Sequence, residues 1–188
     1  MQTGALAFVD CLGFKGIWKR GDPEAVLNSL NSAERRARLY IKIMGWIPEV
    51  EMRCVSLSDT VVVGVTLPSR TAVNEGVKGS LVTCAAVVAK EVAGELIKGN
   101  PPIAVRGCIT FGEFILRDSH IIGPAVDEAA ELHERANGAF VWAPTDLAPQ
   151  IDAGAAVARR AMEQCIAEQL LRIMQSHYPE TMAATPQA

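Results

Sequence analysis

The stretch Ala5-Leu6-Ala7-Phe8-Val9-Asp10-Cys11-Leu12-Gly13-Phe14 decides the fold of this chain. Its apolar residues predict a buried strand, and Gly13 marks the turn that follows the strand. Asp10 places a carboxylate at the end of this strand, where a buried charge needs a partner because its desolvation is costly. A divalent metal ion is one such partner, and a hydrogen-bonded cap at the strand end is the other.

A second stretch has the same design. Ser56-Leu57-Ser58-Asp59 leads into a β-branched run from Thr60 to Val63, so that another lone carboxylate stands beside a strand rich in valine. Taken alone, Asp59 is an ordinary residue of a hairpin turn. Together with Asp10 and the glycine turn after it, Asp59 suits a site that holds divalent metals and the phosphate tail of a nucleotide.

The composition indicates a globular protein with a substantial core. With 188 residues, 49% of them hydrophobic, the chain predicts a single domain over residues 1–178, followed by a loose tail over 179–188. The net charge of −3 argues against nonspecific binding to nucleic acids or to anionic membranes. No membrane-spanning stretch or secretory leader is recognisable, and the five cysteines form no CxxC pair, so we expect a cytoplasmic protein with reduced thiols.

Apolar spacing and chain breakers predict an α+β architecture, with helices on one face of a mainly antiparallel sheet. Asp22 and Pro23 start the first helix, Gly99 caps the second, and Gly123-Pro124 opens the third. The predicted helices cover residues 23–44, 80–98, 123–136 and 155–177. The predicted strands cover 7–9, 50–57, 59–67, 103–111, its hairpin partner 112–116, and 139–142, with a turn or bulge predicted over 117–119.

Four segments in this order resemble the catalytic domain of class III nucleotidyl cyclases. They are Phe8 to Phe14, the hairpin around Asp59, Val105 to Glu113, and Gly123 to Leu132. The chain is most similar to the compact pyrimidine cyclases of bacterial Pycsar anti-phage systems. The resemblance implies the ferredoxin-like class III cyclase fold.

The resemblance also implies a site with two divalent ions, Mn²⁺ or Mg²⁺. Asp10 and Asp59 would hold the ions, assisted by the main-chain carbonyl of Cys11. One ion would assist deprotonation of the ribose 3′-hydroxyl, and the other would hold the triphosphate. Arg106 would bind the phosphate tail, although it could equally cover the sheet edge or pair with Glu113. Backbone N–H groups of the turn over Leu12, Gly13 and Phe14 would also contact phosphate, and Cys11 is a further predicted substrate contact.

Departures from the family pattern favour a pyrimidine base. Purine cyclases carry an asparagine and, four residues later, an arginine where this chain has Asp127 and Glu131, and their adenine-reading lysine and aspartate fall near Val55 and His120. Tyr40 is a candidate contact for a smaller base. Each residue also has a simpler interpretation: Asp127 and Glu131 as helix-surface carboxylates, His120 as a loop histidine and Tyr40 as a core residue.

The expected function is therefore cyclisation of UTP, with CTP as the second choice, to the 3′,5′-cyclic monophosphate and pyrophosphate. The resemblance implies a homodimer with active sites at its interface, and a separate effector that responds to the product in anti-phage defence. Two alternatives stay open. The chain could be a noncatalytic cyclase-homology module that binds a nucleotide or a protein, motivated by Glu131 in place of arginine, or it could be a purine nucleotide cyclase.

Overall fold

A computed structural model describes residues 1–19, 21–43, 50–68, 73–118, 120–136, 138–152 and 156. The predicted helix over 155–177, apart from residue 156, and the predicted tail lie outside these residues. The described strands are β1 (Gln2–Cys11), β2 (Glu51–Leu57), β3 (Thr60–Thr66), β4 (Val105–Arg117), β5 (His120–Ile122) and β6 (Val141–Trp142). The described helices are α1 (Pro23–Ile43), α2 (Glu75–Lys98) and α3 (Pro124–Leu132), with short 3₁₀ turns at Ile17–Lys19 and His133–Arg135.

The strands form one mixed sheet with the order β2-β3-β1-β4-β5. All pairs along this path are antiparallel, whereas β6 pairs with β4 in parallel. β1 lies in the centre, so Ala7 is paired with Val63 of β3 on one side and with Ile109 of β4 on the other. The predicted mainly antiparallel sheet with helices packed on it is confirmed.

Helices cover both faces of this sheet, so the expectation of helices on one face was wrong. Ala5, Ala7 and Val9 of β1 join a core cluster with α1 and α2. The alternate residue Leu6 joins a second cluster with α3 on the opposite face. The reason is visible in β3, where successive valines are buried, because a strand that is apolar on both sides must be covered on both.

The two long helices begin and end at capping residues. The Glu24 N–H donates to Asp22 Oδ1 over 3.1 Å at the start of α1. α2 begins at Glu75, five residues before the predicted start, because the Asn74 side chain caps it by accepting the Val77 N–H over 2.9 Å. The predicted cap at Gly99 is confirmed, since its N–H donates to Leu96 O.

β4 is one continuous strand, so the predicted hairpin break at Gly112 was wrong. A Cβ at Gly112 would lie 3.3 Å from the Ala125 Cβ, which shows that this glycine lets α3 pack closely on the strand. The chain reverses later, at Asp118 with φ +50°, and β5 is the hairpin partner.

Two side chains of β4 hold α3 in place. The Thr110 hydroxyl donates to the Ala125 carbonyl oxygen over 3.0 Å, and the Cys108 thiol donates to the Ala129 carbonyl oxygen over 3.3 Å. α3 ends at Leu132 and is followed by a 3₁₀ turn, so the observed helix ends before the predicted end at residue 136. In the described part of the chain, no helix has the length and apolar character needed to cross a bilayer.

Candidate functional site

The Asp10 carboxylate lies near the end of β1 on the sheet face that also carries α3. Thr60 and Arg106 are directly opposite Asp10 on the two neighbouring strands. The Thr60 hydroxyl donates to Asp10 Oδ1 over 3.2 Å, and Arg106 Nε donates to Asp10 Oδ2, also over 3.2 Å. The Asp10 side chain is 16% exposed and that of Arg106 is 27% exposed, so the ion pair is partly withdrawn from water.

The turn between β2 and β3 brings Asp59 to the end of β1. Ser58 adopts φ +57° in this turn, and the Cys11 N–H donates to the Asp59 carbonyl oxygen over 2.9 Å. On the other side, the Leu12 N–H donates to the Ala104 carbonyl oxygen over 2.8 Å. Main-chain hydrogen bonds therefore fix Asp10, Cys11 and Asp59 at one corner of the sheet.

The Cys11 thiol lies close enough to Asp10 and Asp59 for the charges of both to affect its pKa. Burial raises the pKa of Cys11 to about 12, and the negative charges of Asp10 and Asp59 add to this effect. Both carboxylates therefore act on the same buried sulfur atom. The thiol itself points into the core cluster beneath α1 and α2, so among the atoms of Cys11 the main-chain carbonyl is the suitable ligand for a hard cation.

The donor set fits Mg²⁺ or Mn²⁺. Both ions prefer carboxylate, carbonyl and phosphate oxygens, which Asp10, Asp59, the Cys11 carbonyl and a bound triphosphate would supply. The guanidinium of Arg106 already places a positive charge against Asp10 Oδ2. In the described ranges, no group of three or more His, Cys, Asp or Glu side chains is placed to hold a metal ion.

Two of the predicted substrate-binding residues, Cys11 and Leu12, already donate their main-chain N–H groups to carbonyl oxygens within the fold. Gly13 is exposed and adopts φ +67°, a conformation that favours glycine. The Phe14 carbonyl oxygen accepts the Ile17 N–H over 2.9 Å, and the Phe14 ring packs against the core. Leu12 is half-buried at the start of the turn after β1.

Two predicted substrate contacts lie away from Asp10 within one chain, and a third is exposed on α3. Tyr40 is on α1, across the sheet from the Asp10 carboxylate, where its ring packs on the core and lies 5.0 Å from the Arg36 guanidinium. His120 pairs with Arg117 at the far end of β4, roughly 35 Å along the strand from Arg106. Asp127 is exposed on α3.

The positions that purine cyclases use for base and transition-state contacts are occupied differently here. Val55 is 7% exposed and belongs to the apolar cluster beneath α3. Glu131 is exposed and forms an ion pair with Arg135 one helical turn later.

The sequence did not single out Thr60, and it indicates a solvated surface position for His133, although both residues lie on the face of the site. Thr60 directly follows Asp59, and only the strand register shows that it faces Asp10. The His133 ring lies 5.0 Å from the ring of Phe8, which precedes Asp10 by two residues on the same face. Its Nδ1 is buried without a hydrogen-bond partner among the described residues.

No family model matches the sequence, and no curated protein matches it either. Solved structures nevertheless have the same fold. The dimeric guanylyl cyclase domain of the RhoGC fusion protein from the aquatic fungus Blastocladiella emersonii is 17% identical with a TM-score of 0.56, and the match covers 81% of this chain and 85% of that one.

Two further solved structures are similar to the chain. The catalytic core of a rhodopsin-guanylyl cyclase with converted specificity, in complex with ATPαS, is 16% identical with a TM-score of 0.57, covering 80% of both chains. A class III adenylyl cyclase-like ATP-binding protein from Pseudomonas aeruginosa is 15% identical with a TM-score of 0.52, covering 80% of this chain and 34% of that one. The chain therefore has the class III cyclase fold.

Proposed function

We propose that this chain is a metal-dependent nucleotide cyclase that acts on a pyrimidine nucleoside triphosphate. UTP is the first-choice substrate and CTP the second, and the products are the 3′,5′-cyclic monophosphate and pyrophosphate. The observation that carries the proposal is the junction of Asp10 and Asp59 at the end of β1, held by the hydrogen bond from Cys11 to Asp59. This junction lies in a chain with the class III cyclase fold.

The reaction forms one bond and breaks one. The ribose 3′-oxygen attacks the α-phosphorus, its proton passes to solvent, and the bond from the α-phosphorus to the bridging oxygen breaks to release pyrophosphate. Bound divalent ions would lower the pKa of the 3′-hydroxyl and neutralise charge on the leaving pyrophosphate. Asp10 and Asp59 would position these ions, while Arg106 and the N–H groups of the turn at Gly13 would bind the phosphate chain.

The pyrimidine assignment rests on the departures from the purine pattern. Val55 is enclosed in an apolar cluster and carries no polar group to read an adenine edge. Glu131 carries a negative charge where purine cyclases use an arginine, and its carboxylate already pairs with Arg135. A smaller base, read by groups such as Tyr40, His120 or Asp127, is consistent with this arrangement.

A homodimer would bring these groups to the substrate. Tyr40 and His120 lie away from Asp10 within one chain, so a second copy would be needed to bring them to the same nucleotide, and Asp127 is exposed on α3. The RhoGC domain with the same fold is dimeric. In this proposal the cyclic product is a signal for a separate effector in anti-phage defence, as the resemblance to the Pycsar cyclases implies.

The test is incubation of the purified protein with each of the four nucleoside triphosphates and Mn²⁺, followed by chromatographic identification of cyclic products. Cyclic UMP as the main product is the expected result. Cyclic AMP or cyclic GMP as the main product would instead establish a purine cyclase. Sedimentation of the same sample tests the dimer.

A noncatalytic nucleotide-binding module is the second candidate function. Glu131 in place of the transition-state arginine favours it, and the Pseudomonas aeruginosa protein of the same fold is described as an ATP-binding protein. Calorimetry with each triphosphate separates the two candidates. Binding that survives Asp59→Ala, together with no turnover of any nucleotide, would support the module and reject the cyclase.

A further inference from the structure

Both oxygens of the Asp10 carboxylate are already engaged. Oδ1 accepts the hydroxyl of Thr60, and Oδ2 accepts Nε of Arg106. Both partners are directly opposite Asp10 in the strand register, so the backbone of three adjacent strands brings them together. The contact between Asp10 and Arg106 is therefore part of the sheet and does not depend on a mobile loop.

The Arg106 guanidinium and a divalent cation would compete for the same oxygen. With the Asp10 side chain 16% exposed and that of Arg106 27% exposed, water screens their charges less than it would at an open surface. A cation that approaches Oδ2 would meet a positive charge at a distance where like charges repel. The same guanidinium is suited to bidentate binding of phosphate oxygens, and its edge that contains Nε is available for that role only when Nε is released from Asp10.

We infer that Arg106 is a positioning residue that exchanges partners when substrate binds, an inference that rests on the proposed function. Before binding, Arg106 neutralises Asp10. When substrate binds, the guanidinium of Arg106 would move to the phosphate chain, and Asp10 Oδ2 would then be available to hold a divalent cation. Thr60 holds Oδ1 in both states and preserves the orientation of the carboxylate. The exchange makes the binding of cation and of triphosphate mutually reinforcing.

The experiment measures Mn²⁺ binding by electron paramagnetic resonance, first without a nucleotide. Arg106→Gln removes the competing charge, so the variant should bind Mn²⁺ alone about fivefold more tightly than the unchanged protein. Arg53→Gln is the matched control, because Arg53 is an exposed strand arginine on β2, paired with Gly64 and outside the site. Its Mn²⁺ affinity should stay within about twofold.

The second measurement repeats the titration with a saturating nonhydrolysable UTP analogue. In the unchanged protein the analogue should tighten Mn²⁺ binding by a larger factor than in Arg106→Gln, because only the unchanged protein has a guanidinium to draw away. Arg106→Lys keeps the charge but lacks the planar fork, so it should show an intermediate factor. Equal factors in all three proteins, or weaker Mn²⁺ binding by Arg106→Gln than by Arg53→Gln, would overturn the exchange.

The outcomes separate this inference from the proposed function. If no triphosphate yields a cyclic product, the proposed function fails, although the titration with Mn²⁺ alone still reports whether Arg106 shields Asp10. If cyclic UMP forms and Arg106→Gln binds Mn²⁺ no more tightly than Arg53→Gln, the cyclase proposal stands and the exchange alone is rejected.

Discussion

The amide N–H of Cys11 donates to the carbonyl oxygen of Asp59 over 2.9 Å, which joins the end of β1 to the turn between β2 and β3. Side-chain substitution at Asp59 leaves this main-chain bond intact. The carboxylate of Asp59 can therefore be changed with little disturbance of the corner that holds Asp10.

Asp59→Asn should reduce formation of cyclic UMP by about a hundredfold or more, because a neutral amide is a far weaker ligand for a hard divalent cation. Asp118→Asn is the matched control, since Asp118 is also a hairpin-turn aspartate and lies at the opposite end of β4. Product formation is measured with UTP and Mn²⁺. Equal activity of the two variants would remove Asp59 from the proposed site.

Gly123→Ala should lower the free energy of unfolding by roughly 3 kcal/mol. Gly123 has φ +140°, and a Cβ there would lie 2.6 Å from both the Glu113 carbonyl oxygen and the Phe114 Cα. Gly94→Ala is the contrasting change, because in the described structure a Cβ there would meet nothing within 4 Å beyond its chain neighbours and the backbone of its own helix. As an interior residue of α2, alanine there should stabilise the protein by about 0.5–1 kcal/mol. Urea unfolding of both variants checks the opposite signs.

Thr110→Val should lower the free energy of unfolding by about 1 kcal/mol, because Thr110 is fully buried and its hydroxyl donates to the Ala125 carbonyl oxygen. Thr3→Val, at an exposed position of β1, should change it by less than about 0.5 kcal/mol. Denaturant unfolding measures both. A loss at Thr110 no larger than that at Thr3 would show that this hydrogen bond does not anchor α3.

Stability should fall as the pH rises above about 9, measured as the urea midpoint under reducing conditions. Burial raises the pKa of Cys84 from 9.0 to about 11, and burial together with the charge of Glu128 raises that of Cys108 to about 12. Between these values and 9.0 the unfolded chain loses thiol protons that the folded chain retains, so alkali favours unfolding.

The control for this pH effect is the double variant Cys84→Ala and Cys108→Ala. Its midpoint should fall less steeply between pH 9 and pH 11, because two of the groups that ionise on unfolding are absent. An unchanged slope would show that these buried thiols do not contribute to the alkaline loss of stability.

The sequence predicted those parts of the fold whose signals are local. The apolar run before Asp10, the cap at Asp22 and the cap at Gly99 all marked elements that the structure contains. The prediction at Gly112 was wrong, because the role of this glycine depends on tertiary packing. Gly112 suggested a chain reversal, whereas it makes room for Ala125 of α3. When a glycine packs against a residue that is distant in the sequence, the residues around the glycine do not reveal that contact.

The faces of the sheet could have been predicted better. Val61, Val62 and Val63 are buried in succession, a pattern typical of strands that are covered on both sides. The sequence predicted Asp10, Asp59 and Arg106 as site residues. The hydrogen bond from Thr60 to Asp10 could not be predicted, because it depends on the register between β1 and β3. The face on which Tyr40 lies likewise depends on how α1 packs against the sheet.

The alternation of Asp10 and Cys11 has a consequence for how β1 tolerates length changes. Deletion of one residue between Gly4 and Val9 would shift the end of the strand by one position and turn each side chain there to the other face of the sheet. The Asp10 carboxylate would then enter the apolar layer, and the Cys11 thiol would lie opposite Thr60 and Arg106. The charge of Asp10 would thus penalise the misaligned strand, because the apolar layer gives it no partner. In this protein the carboxylate at the end of the central strand therefore also helps to fix the register of that strand.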